Sequence, residues 1–111
     1  MAASMVIFIR IASVLGAAGV VLGAMGAHGG VNQKLLEVGG MAHWQTASDY
    51  HLPHAVALLA LGLFAGRAKA LQGAWWAMFL GVLLFSGSLY TLAITQIKWL
   101  GAITPFGGLL M

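Results

Sequence analysis

The chain has 111 residues, of which 61% are hydrophobic and only 6% are charged, and its net charge is +3. Soluble domains contain about 45–50% apolar and about 25% charged residues, so this chain cannot cover a soluble surface. The composition therefore predicts one integral membrane domain over residues 1–111. The absence of cysteine excludes disulfides and thiolate metal sites. The few basic residues are dispersed, so no nucleic-acid-binding patch is expected.

The first apolar run, residues 5–27, predicts a transmembrane helix, because at about 1.5 Å per residue it crosses a hydrocarbon core about 30 Å thick. Arg10 lies near its start, where its side chain can reach the headgroups. A cleaved signal peptide has a shorter apolar region of about 7–15 residues, so an uncleaved helix is expected. After a glycine-rich loop, residues 32–38 are predicted to form a short interfacial helix.

The second predicted span covers residues 43–66 and contains Pro53. Proline lacks a backbone N–H and disfavours a helical residue before it. Two interpretations follow: either the helix begins near residues 49–52, with Pro53 in its first turn, or it begins earlier and kinks.

The third predicted span covers residues 74–95. Tryptophans at positions 75–76 mark one interface and Trp99 the other, as in the aromatic belts of membrane proteins. Residues 104–111 are too few to span, and Pro105 follows a threonine as at a helix start. The predicted fold is an all-α, up-down antiparallel helix bundle with three full transmembrane helices and a truncated or short fourth.

Helices that alternate in direction place the polar residues of this chain at one membrane face, and a weak excess of basic residues at the other face favours a cytoplasmic N-terminus. The stretch "HWQTASDYHLPHA" (residues 43–55) contributes most of these polar residues. At about 100° per residue, one stripe of a continuous helix contains His43, Tyr50, His51 and His54, with His51 about 80° from His43, and Asp49 points away from it. The candidate polar or ligand site comprises His28, Tyr50, His54, Ser86, Ser88 and Tyr90.

Three interpretations of the histidines remain open. In the first, His51 and His54 bind copper or zinc together with His28 or His43. In the second, His54 and Tyr50 carry protons or contact a quinone-like or other polar ligand. In the third, a neutral His54 is hydrogen-bonded to a serine or tyrosine of the third span, because an unsatisfied polar group in lipid costs several kcal/mol.

Small residues at helical spacing indicate close packing of helix backbones. The predicted packing positions are Gly16, Gly19, Gly23, Gly26 and Gly81. Packing within the chain and self-association are both consistent with this pattern.

Four motifs in order, "LGAMGAHG", "QTASDYHLPHAVAL", "FSGSLY" and "ITPFGG", resemble the YgdD-like small inner-membrane proteins, a family catalogued as domain of unknown function 423 and, in eukaryotes, as transmembrane protein 256. The resemblance implies a multi-span protein of the bacterial inner membrane, or of the mitochondrial inner membrane in a eukaryote, and it implies no activity. His43 and His51 fall outside the family pattern. The pattern maps onto Gly23, Gly26, His28, Thr46, Tyr50, His54, Ser86, Gly87, Ser88, Tyr90, Thr104, Pro105, Gly107 and Gly108.

The function expected from the sequence is that of a structural or accessory subunit of a larger membrane complex. The alternative is a small transporter or a proton or ligand relay that uses the candidate polar site. An enzyme is not expected, because no set of nucleophile, base and orienting group is visible. The expected partners are the lipid bilayer and either other membrane subunits or a second copy of the chain, and no cofactor is identified.

Overall fold

The computed structural model describes residues 2–111, with side chains from Met5 onward, so only Met1 of the predicted domain lies outside the described residues. The predicted all-helical class is confirmed, since every regular element in the described part of the chain is a helix. The helices are α1 (Ala2–Ala27), α2 (Gly29–Val38), α3 (Met41–Gly62), α4 (Lys69–Thr95) and α5 (Thr104–Leu110), with 3₁₀ turns at Ala65–Arg67 and Lys98–Ala102.

Two helices are long and apolar enough to cross a membrane by length and composition. They are the Met5–Ala27 part of α1 and the whole of α4. Helix α3 has 22 residues, but polar residues such as Gln45, Asp49 and His51 in its first half lower its apolar character. The structure therefore supports two candidate spans where the sequence predicts three.

Helix α3 begins at Met41 and runs without interruption through Pro53, so the interpretation in which the helix begins near residue 49 is wrong. A left-handed residue, Gly39 with φ 73°, ends α2, and the chain turns there into α3. Gly40 follows, and a Cβ at this position would overlap the backbone carbonyl of Ala93 in α4. Glycine at this turn thus allows the start of α3 to lie directly against α4.

Helices α1, α3, α4 and α5 lie side by side in a layer, in that order. The principal extents of the molecule are 48 × 27 × 15 Å. Helix α3 runs antiparallel between α1 and α4, and α5 packs on the outer side of α4. Within the described residues, α1 and α4 make no backbone contact with each other. The predicted up-down order is therefore seen with α1 and α4 on either side of α3, and the side chains of α1 and α4 meet at Phe8 and Trp75.

Two buried clusters lie at opposite ends of α3. We call the end where α3 begins the motif end, and its cluster consists of Leu35, Trp44, Ala47, Leu89, Tyr90, Leu92 and Ala93. We call the other the closed end, and its cluster consists of Phe8, Ala12, Leu58, Ala65 and Trp75. Trp75 is 0% exposed, so its side chain packs inside the protein and does not face lipid. Its indole N–H bonds the Leu58 carbonyl at 2.9 Å, which allows the whole ring to be buried.

Candidate functional site

The buried face of α3 contains one histidine, His51, which is 4% exposed. Apolar and small residues precede and follow it at spacings of three or four, which places them all on one side of the helix. This face consists of Trp44, Ala47, His51, Ala55, Leu58 and Gly62. His51 therefore sits midway between the motif end and the closed end.

Both ring nitrogens of His51 are hydrogen-bonded. Nε2 lies 2.7 Å from the carbonyl oxygen of Leu15 in α1. A carbonyl only accepts, so Nε2–H is the donor, and in the neutral ring Nδ1 accepts the Tyr90 hydroxyl of α4 at 3.0 Å. The Tyr90 oxygen then accepts the Ser48 hydroxyl at 3.3 Å. One imidazole thus joins α1, α3 and α4.

The meeting of His51 and Tyr90 follows from the direction of helical side chains. Long side chains lean toward the N-terminus of their own helix, so in two antiparallel helices they lean toward each other. The register is fixed by Ser86, whose hydroxyl donates to the Ala47 carbonyl at 2.9 Å. The ring of His51 approaches α1 because Gly19 has no side chain, and a Cβ there would lie 3.3 Å from the His51 Cδ2.

His54 does not take the position that the sequence predicts. The sequence interpretation placed His54 at the depth of Ser86, but in the structure Ala47 lies opposite Ser86. The difference is seven residues, or about 10 Å of helix rise. His54 Nδ1 instead donates to the carbonyl of Tyr50 in its own helix at 2.7 Å. The predicted link from His54 to the third span is therefore not formed, and His51 supplies it.

The other predicted site residues are dispersed over the layer. Ser88 bonds the Thr104 hydroxyl at 2.7 Å and so ties α4 to α5. Tyr50 is 46% exposed and packs edge-on against Phe85 with ring centroids 4.8 Å apart. His28 is exposed between α1 and α2, and its side chain makes no capping bond. Of the six candidates, Ser86 and Tyr90 lie together beside His51, and the others do not join them.

The structure does not bring a set of metal ligands together. Both His51 nitrogens are engaged, and His54 Nδ1 is bonded within its helix. In the part of the chain that the structure describes, no three His, Asp or Glu side chains are close enough to hold an ion. Asp49 lies in the middle of α3, so it does not cap the start of that helix.

A cleft of about 260 Å³ opens at the motif end, between the last turn of α1, α2 and the first turns of α3. Ser48 lines this cleft and also belongs to the His51 network. The Trp44 indole forms one wall of the cleft, and its N–H donates to the Leu22 carbonyl at 2.9 Å. The lining residues are Gly23, Gly26, Ala27, Asn32, Met41, Trp44, Gln45, Ser48 and Asp49.

The predicted packing glycines have distinct neighbours. Gly26 lies under the Trp44 indole, where a Cβ would overlap the ring. A Cβ on Gly16 would lie 3.9 Å from the Ala55 Cβ, and Gly81 faces the backbone of Gly107 in α5. A Cβ on Gly23 would meet no atom within 4 Å, so Gly23 borders the cleft without packing on a helix.

A family model described as "Protein of unknown function (DUF423)" matches residues 22–108. The chain belongs to this family. The match covers the cleft, the side chains of Ser48, His51 and Tyr90, and the start of α5, but not Leu15, and it agrees with the resemblance inferred from the four motifs.

Curated relatives are bacterial membrane proteins. The UPF0382 membrane protein YwdK of Bacillus subtilis is 42% identical over 110 residues, which cover 94% of this chain and 85% of YwdK. A UPF0382 membrane protein of Staphylococcus haemolyticus is 48% identical over 89 residues, which cover 79% of this chain and 71% of that protein. No solved structure matches the chain. The family of the chain and its membrane location are thereby shown.

Proposed function

We propose that the chain is a structural or accessory subunit of a larger assembly in the bacterial plasma membrane. The observation that carries the proposal is the His51 ring, whose two nitrogens are both committed to neighbouring helices. Among the described residues, every buried side-chain nitrogen or oxygen has a hydrogen-bond partner. The polar groups inside the layer therefore hold helices together, as a structural role requires.

The exposed apolar surface of the layer supports the accessory role. Helix α1 contacts α3 along its length and buries little of its own apolar surface. Large apolar side chains such as Val14, Val20 and Leu109 are exposed on the layer. In a membrane these faces meet either lipid or other protein, and small residues between them favour close helix contact. We place no enzymatic activity in the chain.

The proposal includes a third crossing of the membrane by α3. This helix lies antiparallel between the two candidate spans, and its polar His51 is hidden inside the layer. A helix held between two spanning helices shares their depth in the bilayer. A cytoplasmic N-terminus then places Arg10 and Arg67 on the cytoplasmic side and the cleft on the other. Cysteine-accessibility labelling of His43→Cys and Arg67→Cys in intact cells tests this, with labelling from opposite sides expected.

A relay is the second candidate, because Ser48, Tyr90 and His51 form a continuous hydrogen-bonded chain inward from the cleft. However, the chain ends on the amide carbonyl of Leu15, which is not a proton acceptor of any strength. A relay therefore requires the His51 ring to move. Proton flux into vesicles that contain the purified protein tests it, and a flux abolished by Tyr90→Phe would favour the relay.

The accessory role is tested by gentle extraction of the tagged chain from native membranes, followed by size analysis and mass spectrometry. We expect fixed partner proteins in a constant ratio. A matched control is the Tyr90→Phe variant, which removes two hydrogen bonds from the interior and leaves the outer faces unchanged, so it should retain the partners. Isolation of the chain alone, or only with copies of itself, would contradict the accessory role.

A further inference from the structure

The cleft at the motif end lies where α1 terminates. The last carbonyls of an α-helix have no partner within the helix, and this end of the helix dipole is negative. Gly23, Gly26 and Ala27, from the last turns of α1, line the cleft. Asn32 donates its Nδ2 to the Gly26 carbonyl at 2.9 Å, which leaves its amide oxygen as an acceptor.

The α3 wall of the cleft adds further acceptors. The hydroxyl hydrogen of Ser48 is directed to Tyr90, because the Tyr90 hydrogen is used on His51. The Ser48 oxygen that borders the cleft therefore offers only lone pairs. Asp49 is exposed and is the one charged side chain in the lining. The Trp44 indole, whose N–H is committed to the Leu22 carbonyl, forms the wall beside it.

We propose that this cleft binds an ammonium group, either of a free primary amine or of an aminophospholipid headgroup. A primary ammonium has one positive charge and three N–H donors, which match the carboxylate and the surrounding oxygen acceptors. Calcium takes six to eight oxygen ligands and usually several carboxylates, but this cleft has one carboxylate. An anion would meet the carboxylate of Asp49.

The size and position of the cleft restrict the ligand further. Drug-sized ligands occupy pockets of about 300–1,000 Å³, whereas this cleft measures about 260 Å³. It therefore fits a headgroup of a few heavy atoms. Quaternary ammonium has no N–H to donate to Ser48 or Asn32, so the cleft should prefer ethanolamine to choline. This binding site is independent of the accessory role proposed above.

The test uses the full chain in nanodiscs of phosphatidylglycerol and follows the indole N–H resonance of Trp44, which the Leu22 carbonyl holds at the edge of the cleft. The probes are phosphatidylethanolamine added to the nanodisc, phosphatidylcholine added in the same amount, and soluble ethanolamine. We expect the resonance to shift with an ethanolamine probe and to respond far less to phosphatidylcholine. A shift with phosphatidylethanolamine alone identifies a lipid headgroup, and a shift with soluble ethanolamine identifies a free amine.

Two variants should remove the response by different means. Asp49→Asn removes the charge and should weaken binding by about twofold to fivefold, since an ion pair with an exposed carboxylate is screened by water. Gly23→Leu should fill the cleft, because nothing lies within 4 Å of a Cβ there. The control is Glu37→Gln, which removes an exposed carboxylate of α2 outside the cleft.

Circular dichroism and thermal unfolding establish that each variant is folded. The proposal is overturned by three results: no shift with either ethanolamine probe, an equal response to phosphatidylcholine, or an unchanged affinity in Asp49→Asn.

Discussion

The same type of hydrogen bond joins neighbouring helices at the motif end and at the closed end of the layer. At each end a tryptophan indole N–H donates to a backbone carbonyl of a neighbouring helix. Trp44 bonds Leu22 and Trp75 bonds Leu58, both at 2.9 Å. In each case an aromatic neighbour packs on the indole, with centroid distances of 4.7 Å for Trp44–Tyr90 and 4.5 Å for Phe8–Trp75.

The two ends differ in the residues that surround the hydrogen-bonded tryptophan. The closed end adds only apolar contacts, from Phe8, Ala12 and Leu58. The motif end adds the Ser48–Tyr90–His51 network and borders the open cleft. A tryptophan with apolar neighbours is thus sufficient to join three helices at one end. The polar network at the other end adds a second link to α1, because His51 donates to the Leu15 carbonyl.

The largest loss of stability is expected for Trp75→Ala at the closed end. The side chain is fully buried, so its removal leaves a cavity among Phe8, Trp76 and Phe79. We expect the free energy of unfolding to fall by about 3 kcal/mol, the lower end of the range for a buried tryptophan. The lower end applies because the hydrophobic effect is weaker in lipid, whereas the loss of packing contacts is not. Unfolding in lipid bicelles measures it. A loss equal to that of exposed Trp99→Ala would contradict the core role of Trp75.

A matched glycine pair tests the motif end. In Gly26→Ala the new Cβ overlaps the Trp44 indole, so the ring must move and its bond to Leu22 is lost. We expect a loss of about 2 kcal/mol, as for overpacked cores. Gly23→Ala, three residues earlier on α1, meets no atom within 4 Å and should be neutral or slightly stabilising, since alanine favours helix. Equal effects in thermal unfolding would contradict this account of the Trp44 contact.

The smallest effect is expected for Ser86→Ala, which removes the buried bond to the Ala47 carbonyl. Interhelical hydrogen bonds in membranes contribute about 0.6 kcal/mol on average, so a loss of this size is expected. Thr91→Ala is the control, because exposed Thr91 bonds the Gly87 carbonyl within its own helix. The difference in the free energy of unfolding between the two variants in bicelles gives the contribution of the Ser86–Ala47 hydrogen bond. No difference would argue against that contribution.

Much of the architecture could be predicted from particular residues. The apolar runs of α1 and α4 identified two spans, and the Thr104-Pro105 pair marked the start of α5. Pro53 left two predictions open for where α3 begins, because local propensity opposes proline in a helix while packing against two neighbours retains it. The sequence has no local signal for such tertiary support.

The candidate site was predicted less well, because it depends on helix register. Aligning the helix ends placed His54 beside Ser86, whereas the contact of Gly40 with Ala93 shifts α3 along α4. A signal for His51 was nevertheless present. Trp44, Ala47, His51, Ala55 and Leu58 follow the three- and four-residue spacing of a buried helix face, and His54 lies at the edge of that face, about 80° from Trp44.

The central claim is that His51 holds the helices together, and a double-mutant cycle of His51→Phe and Tyr90→Phe tests it most directly. The four proteins are unfolded in lipid bicelles, and proton flux is measured on the same samples in vesicles. We predict a coupling free energy of about 0.6 kcal/mol, rising to at most about 1.7 kcal/mol, with no change in proton flux. Zero coupling together with a loss of flux would contradict the structural role and assign the network to transport.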